Sequence, residues 1–185
     1  MHNILTEHAA QTHKEKMRVD IGYMLQRHLP EVLVIEDGCF EFPWQEDDFV
    51  CCRRQRNCLG LVAEHDGKIV GFMIYELHRT SLHILNFAVD VQLHRRGVGA
   101  AMVDELIGKL KTRGRTTIFA TVGERSTRAQ LFFANCGFHA VSILESFFED
   151  STQSAYLMKY SLGMPNKESK ELFTMTQGEC HGYRG

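Results

Sequence analysis

Apolar and polar positions along this chain change their spacing several times, and each change marks an element. The stretch "KMRVDIGYML" (16–25) alternates at the two-residue period of a strand. In "LPEVLVIEDGCF" (29–40) Pro30 stands where a first helical turn accepts it, and Glu31, Val32, Ile35 and Glu36 give the segment an amphipathic helical character. "EFPWQEDDFVCCRRQRN" (41–57) opens on a Phe-Pro-Trp corner and continues as a second helix, with acids early and bases late as the helix dipole favours. Two β-rich runs in "CLGLVAEHDGKIVGFMIYEL" (58–77) meet at His65-Asp66-Gly67-Lys68, and Asp-Gly is a strong hairpin signal. "LHILNFAVD" (82–90) adds a third strand to this antiparallel meander.

Beyond it, "VGAAMVDELIGKLKTRG" (98–114) predicts an amphipathic helix closed by Gly114, and "TTIFATVG" (116–123) a buried strand. "STRAQLFFANCG" (126–137) predicts a short helix with Ser126 as N-cap and Gly137 past its end. "FHAVSILESFF" (138–148) and "SAYLMKYSL" (154–162) form a last strand pair. The order predicts one α+β domain over 17–162, between a flexible polar leader (1–16) and a weakly structured tail (163–185).

Charge and cysteines narrow the function classes. The 21 basic and 23 acidic residues leave a formal net charge of -2, so no global field favours direct nucleic-acid binding. The basic run Arg53-Arg54-Gln55-Arg56 reads as the solvated end of the second helix. The 6 cysteines contain no CxxC pair and face no His-x-x-x-His, so no metal site is expected. Cys51-Cys52 reads as one buried and one half-buried small residue. With no hydrophobic signal segment and no long apolar run, the chain is expected to be a cytoplasmic protein with no membrane contact.

The chemistry concentrates in "VQLHRRGVGAAM" (91–102). A strand, a short loop, Arg-Arg-Gly-Val-Gly and a helix follow one another, so backbone N–H groups from about Arg96 to Ala100 point out of a helix N-terminus. That cradle suits a pyrophosphate, with arginine charge at its rim and glycines that admit phosphate oxygens to the main chain. A dinucleotide fingerprint would need a third glycine where Met102 stands, and a P-loop would need Gly-Lys-Ser/Thr, which is absent.

"NFAVDVQLHRRGVGAAMVDEL" resembles the acetyl-CoA-binding motif of the GNAT superfamily of N-acetyltransferases, and "FPWQEDDF" and "STRAQLFFANCGF" match further family segments in order. Over roughly 18–160 the chain is most similar to the RimI-type branch, which acetylates the N-terminal amines of proteins, ribosomal proteins among them. The resemblance implies the GNAT fold: a mostly antiparallel mixed sheet of six to seven strands flanked by about four helices, splayed open between the strands near 82–89 and 116–123. It implies acetyl-CoA as cosubstrate, with pantetheine against the backbone of Phe87, Ala88 and Val89 and the pyrophosphate on Arg95, Arg96, Gly97, Val98, Gly99 and Ala100. His94 stands at the first signature position, where the family has Gln or Arg, and Ser126 where it has an Asn near the pantetheine arm. Phe42, Trp44, Glu145 and Phe147 are expected to border the acceptor groove, although a Phe-Pro-Trp corner more often packs than binds.

The same resemblance exposes two departures. Thr121 occupies the place of the family's catalytic carboxylate, and Phe133 that of its leaving-group tyrosine; Phe147-Phe148 replaces a Tyr-Tyr pair. His83 is the replacement candidate, since related N-terminal acetyltransferases place a tyrosine near it and an imidazole can relay a proton through water. A packed or solvated histidine at a strand start is the alternative. Glu124 reads as an exposed strand-end charge. Deprotonating an α-amine at pH 7 costs only about 1 kcal/mol, against roughly 4.6 kcal/mol for a lysine amine, so a site without a strong base suits N-termini. Three functions stay open: a protein N-terminal acetyltransferase, an acetyltransferase for a small-molecule amine, and a degenerate acetyl-CoA-binding sensor or scaffold. The oligomeric state is not legible.

Overall fold

A computed structural model describes residues 16–112, 114–147 and 153–163. Among these residues seven strands and four α-helices follow in the order β1 (Asp20–Tyr23), α1 (Leu29–Cys39), α2 (Glu46–Arg54), β2 (Cys58–His65), β3 (Lys68–Leu77), β4 (Ser81–Val89), α3 (Val98–Thr112), β5 (Thr117–Gly123), α4 (Thr127–Asn135), β6 (His139–Leu144) and β7 (Ala155–Ser161). They build one sheet in the order β1-β2-β3-β4-β5-β7-β6. Every neighbouring pair is antiparallel except β4 and β5. This is the predicted α+β architecture. Residues 1–15 of the expected leader and most of the tail lie outside the described residues, as does Phe148.

The local chemistry explains the elements. Asp66 and Gly67 both take positive φ (50° and 74°), the conformation a tight Asp-Gly hairpin turn requires. At the start of α2, the N–H of Gln45 donates to Asp48 Oδ2 at 2.8 Å, and Arg53 and Arg54 close the last turn. Strand β1 is shorter than its alternation predicts, although Met24, one residue past its end, still donates its N–H in register to the Gly60 carbonyl at 2.8 Å. Only glycine fits there, since a Cβ at Gly60 would lie 2.8 Å from the Met24 Cβ. The sixth strand likewise stops at Leu144, where Ser146 turns the chain with φ 47°.

Both faces of the central strands are covered, which is why β3 reads as a continuous apolar run. Met73, Tyr75, Leu82 and Ile84 pack against Met102, Leu106 and Leu110 of α3 and Phe133 of α4. Phe72, Ile74 and Ala88 pack on the other side against Val32 and Ile35 of α1, with Trp44 and Phe49.

One buried acid ties the second layer to the sheet. Glu36 is 1% exposed, and its Oε1 accepts from the Trp44 N–H at 2.8 Å and from Asn86 Nδ2 at 3.0 Å. Burial raises its carboxyl pKa, and the two hydrogen bonds pull partly the other way. Removing the acceptor strands two donors in an apolar layer. Glu36→Ala is expected to destabilise the fold by about 3 kcal/mol, read as a lowered urea midpoint with an unchanged slope.

Candidate active site

The sheet opens where β4 gains a residue. Ile74 pairs with Asn86, but the next residue, Tyr75, pairs with Ile84, so Leu85 is a bulge. Parallel pairing with β5 covers only Ser81–Ile84 against Thr117–Ala120. From Leu85 onward β4 parts from β5, which continues along β7 as far as Gly123. The bulge bends one strand while the other stays with its neighbour, and a wedge forms between them.

A cavity of about 560 Å³ occupies this region. His83, Thr121 and Glu145 supply its polar lining, and Leu85, Phe119 and Phe147, with neighbouring aliphatics, supply the rest. The fold thus gathers four separately expected residues, His83, Thr121, Glu145 and Phe147, around one space. Phe42 and Trp44 are not among its walls. Trp44 is 7% exposed and packs edge-on against Phe49 at 5.4 Å, whereas Phe42 is 66% exposed. A tryptophan beside a proline satisfied the core first. Phe133 is 5% exposed within an aromatic cluster with Phe87, Phe132 and Phe138, and its own ring carries no hydroxyl to donate.

At the other end of β4 the glycine turn takes the anticipated shape. Arg95 and Gly97 have φ of 62° and 86°, and the helical ladder starts with the Ala101 N–H on the Gly97 carbonyl at 3.0 Å. The N–H groups of Val98, Gly99 and Ala100 therefore have no partner within α3. A Cβ at Gly99 would meet the Phe132 ring at 3.1 Å. Arg96 Nε is buried with no hydrogen-bond partner among the described residues. Such an orphaned cationic donor beside free helix N–H groups fits a phosphate oxygen.

His94 does not face that cradle; its Nε2 meets the Val89 carbonyl at 2.7 Å and closes the loop. Cys39 Sγ donates to the same carbonyl at 3.4 Å, and burial lifts its thiol pKa to about 11, so it keeps the proton it donates. Ser126 sits at the N-cap of α4 but makes no capping hydrogen bond through its side chain. Glu124 is exposed. No group of three or more metal-ligating side chains occurs among the described residues, and no helix there is long and apolar enough to cross a membrane.

Two contacts escaped sequence reasoning. The alkyl chain of Lys16 lies across Gly97, close enough that a Cβ there would be 2.8 Å from its Cγ, and the Met17 N–H donates to the Arg96 carbonyl at 2.9 Å. Glu76 pairs with His78, 3.0 Å from carboxylate to Nε2. Neither contact leaves a trace in local periodicity.

His83 is the one titratable group in the cavity with a strong perturbation. Burial, and secondarily the neighbouring His78, push its pKa from 6.5 down to about 4. Because the folded value lies below the unfolded one, the stability this ring preserves above pH 6.5 is lost as pH falls through about 4. Between pH 7 and pH 4 the wild type should lose about 1–2 kcal/mol more stability than His83→Gln, allowing for solvent screening of a partly exposed ring. Denaturant midpoints of the two proteins at both pH values measure the difference.

Comparison with known proteins meets this geometry from outside. The model of the Acetyltransferase (GNAT) family matches residues 29–138. The [Ribosomal protein bS18]-alanine N-acetyltransferase of Escherichia coli strain K12 is 28% identical over 138 residues, 74% of this chain and 93% of that protein. The crystal structure of the ribosomal-protein-S18-alanine N-acetyltransferase from Escherichia coli superposes with a TM-score of 0.71 at 24% identity, covering 85% of this chain and 100% of that one. A GNAT family acetyltransferase from Elizabethkingia anophelis with acetyl-CoA bound aligns with a TM-score of 0.65 at 16% identity, covering 78% and 98%. At these identities the structural likenesses carry the fold, while the family model spans more than half of the sequence. By that match this chain belongs to the acetyltransferase (GNAT) family.

Proposed function

We propose that this protein transfers an acetyl group from acetyl-CoA to the N-terminal α-amine of a protein, with a ribosomal protein as the leading acceptor class. The observation that carries the proposal is the joining, by one bulged strand, of the glycine cradle at its C-terminal end to the cavity lined by His83 and Thr121. The name of the Escherichia coli relative, an alanine N-acetyltransferase for ribosomal protein bS18, supports the acceptor class.

Bound acetyl-CoA supplies an activated acetyl carbon and a thiolate leaving group. The chain's residues do the rest. Arg95, Arg96 and the N–H groups of Val98 to Ala100 hold the pyrophosphate at the rim of α3, the backbone of Phe87, Ala88 and Val89 receives the pantetheine amides, and Ser126 stands near that arm. Leu85, Phe119 and Phe147 exclude water around the acceptor residue, and Glu145 attracts its amine. Proximity and orientation alone can supply about 7–11 kcal/mol of the barrier. His83, neutral at physiological pH, accepts a proton directly or through one water. A second reading, acetyl-CoA binding without turnover, draws on the threonine at 121 and the phenylalanine at 133.

Incubating the protein with acetyl-CoA and, separately, N-terminal peptides, lysine peptides and polyamines, with free thiol followed over time, decides among these readings. Thiol release with N-terminal peptides is the expected result. Release with polyamines alone would transfer the site to small-molecule amines, and tight acetyl-CoA binding without release would leave a binding domain.

A further inference from the structure

His83 does not stand alone. Glu76 is its cross-strand neighbour in the β3–β4 ladder, and the Glu76 side chain is only 8% exposed. Its Oε2 takes His78 Nε2 at 3.0 Å, and its Oε1 takes Asn57 Nδ2 at 3.4 Å. The His78 backbone is pinned by its N–H to the Ser81 carbonyl at 3.0 Å and by Arg115 Nε to its own carbonyl at 2.8 Å. So fixed, the His78 ring lies 4.0 Å from the His83 ring, tilted by 34°. The His83 ring also meets the Phe119 ring edge-to-face at 5.0 Å, and its Nε2 is 3.1 Å from Ser81 Oγ.

We propose that Glu76 and His78 are positioning residues that hold His83 as a neutral imidazole with one free nitrogen lone pair facing the acceptor amine. The proposal rests on the acetyl-transfer reading above. With His78 Nε2 committed to the Glu76 carboxylate, its ring is locked against His83, and a charge on either ring opposes one on the other. When Ser81 Oγ accepts from His83 Nε2–H, Nδ1 keeps its lone pair.

During transfer the acceptor nitrogen bonds the acetyl carbon, the carbon–sulfur bond breaks, and the nitrogen's proton passes to Nδ1 and then to the departing sulfur. A ring with pKa near 4 is a weak base toward a free ammonium. It is nonetheless well suited to this relay, because a nitrogen bonding to an acyl carbon is far more acidic, and a thiolate of pKa about 8.5 then takes the proton downhill. One residue would thereby cover both functions missing at Thr121 and Phe133. The charged and titratable groups around it are Glu76 in β3, His78 just past its end, Arg115 on the His78 carbonyl, and Glu145 across the cavity; Ser81 and Thr121 are its uncharged polar neighbours.

Imidazole NMR of the full chain tests the coupling without any acceptor. The His83 signals are assigned by their loss in His83→Gln, and are expected to show the Nε2–H tautomer and stay neutral down to pH 5. In His78→Phe, which keeps an aromatic ring but no charge, the His83 midpoint should rise by at least about half a pH unit. A wild-type midpoint near 6.5, or no movement in His78→Phe, overturns the proposal. Steady-state kinetics gives a second test. Glu76→Gln and His78→Phe should each lower kcat roughly 5–20-fold with KM unchanged, and neither should lower it further in a His83→Gln background. Equal losses in both backgrounds would mean a merely structural role. If no peptide is acetylated, the functional reading falls while the NMR result still judges the dyad.

Discussion

Gly97→Val is expected to weaken acetyl-CoA binding on the order of 100-fold, about 2.7 kcal/mol, while leaving the protein folded. The residue takes φ 86°, a conformation that a β-branched side chain enters only under strain. It immediately precedes Val98, where the free N–H groups of α3 begin, so relieving the strain turns those donors away from the phosphates. The added atoms would also contest the space that Lys16 now crosses, 2.8 Å from the position of the new Cβ. Gly114→Val is the control. Gly114 has φ 68°, but a Cβ there meets nothing within 4 Å and it follows the other end of α3. It should lower stability with no change in affinity. Calorimetric titration with acetyl-CoA measures both variants, and an unchanged Kd for Gly97→Val would move the pyrophosphate elsewhere.

Thr121→Glu should raise kcat on an N-terminal peptide by about 10–100-fold. Thr121 is exposed to the cavity, so a longer side chain has room to enter it. A carboxylate among Leu85, Phe119 and Phe147 would have its pKa raised by burial, toward the range where a general base works near neutral pH. Positioned bases typically contribute 10²–10⁴-fold, and the lower figure follows from the proposal that His83 carries part of the load. Acetyl-CoA affinity should not move, because position 121 is remote in sequence and register from the cradle. A fall in kcat with unchanged affinity would show that the protein's chemistry depends on a cavity without a carboxylate at 121.

The architecture was legible where local chemistry is decisive. Asp66-Gly67 announces its turn because few other residue pairs tolerate two positive φ values. The glycines at 97 and 99 announce the cradle because a side chain at either would collide or strain. Legibility failed where side chains meet across the sheet. Nothing in the spacing of Glu36, Trp44 and Asn86 reveals that one carboxylate joins them, nor that Glu76 and His78 lean on His83. Of the two readings of the Phe-Pro-Trp corner, groove or packing, Trp44 takes the packing one: its ring lies in the second core, where its apolar area is buried against Phe49. Lys16, at the end of the expected leader, has its alkyl chain against Gly97. These meetings follow from register and the bulge at Leu85, which no single stretch of sequence encodes.

The central claim is that a site lacking a strong base acetylates α-amines. A single peptide carrying both a free N-terminus and an internal lysine tests it most directly, with the acetylated nitrogen located by tandem mass spectrometry at pH 7. The α-amine, with pKa about 7.7–8.0 against about 10.4 for lysine, should be modified a few hundred times faster. Equal modification of the two nitrogens, or preference for the lysine, would contradict the account.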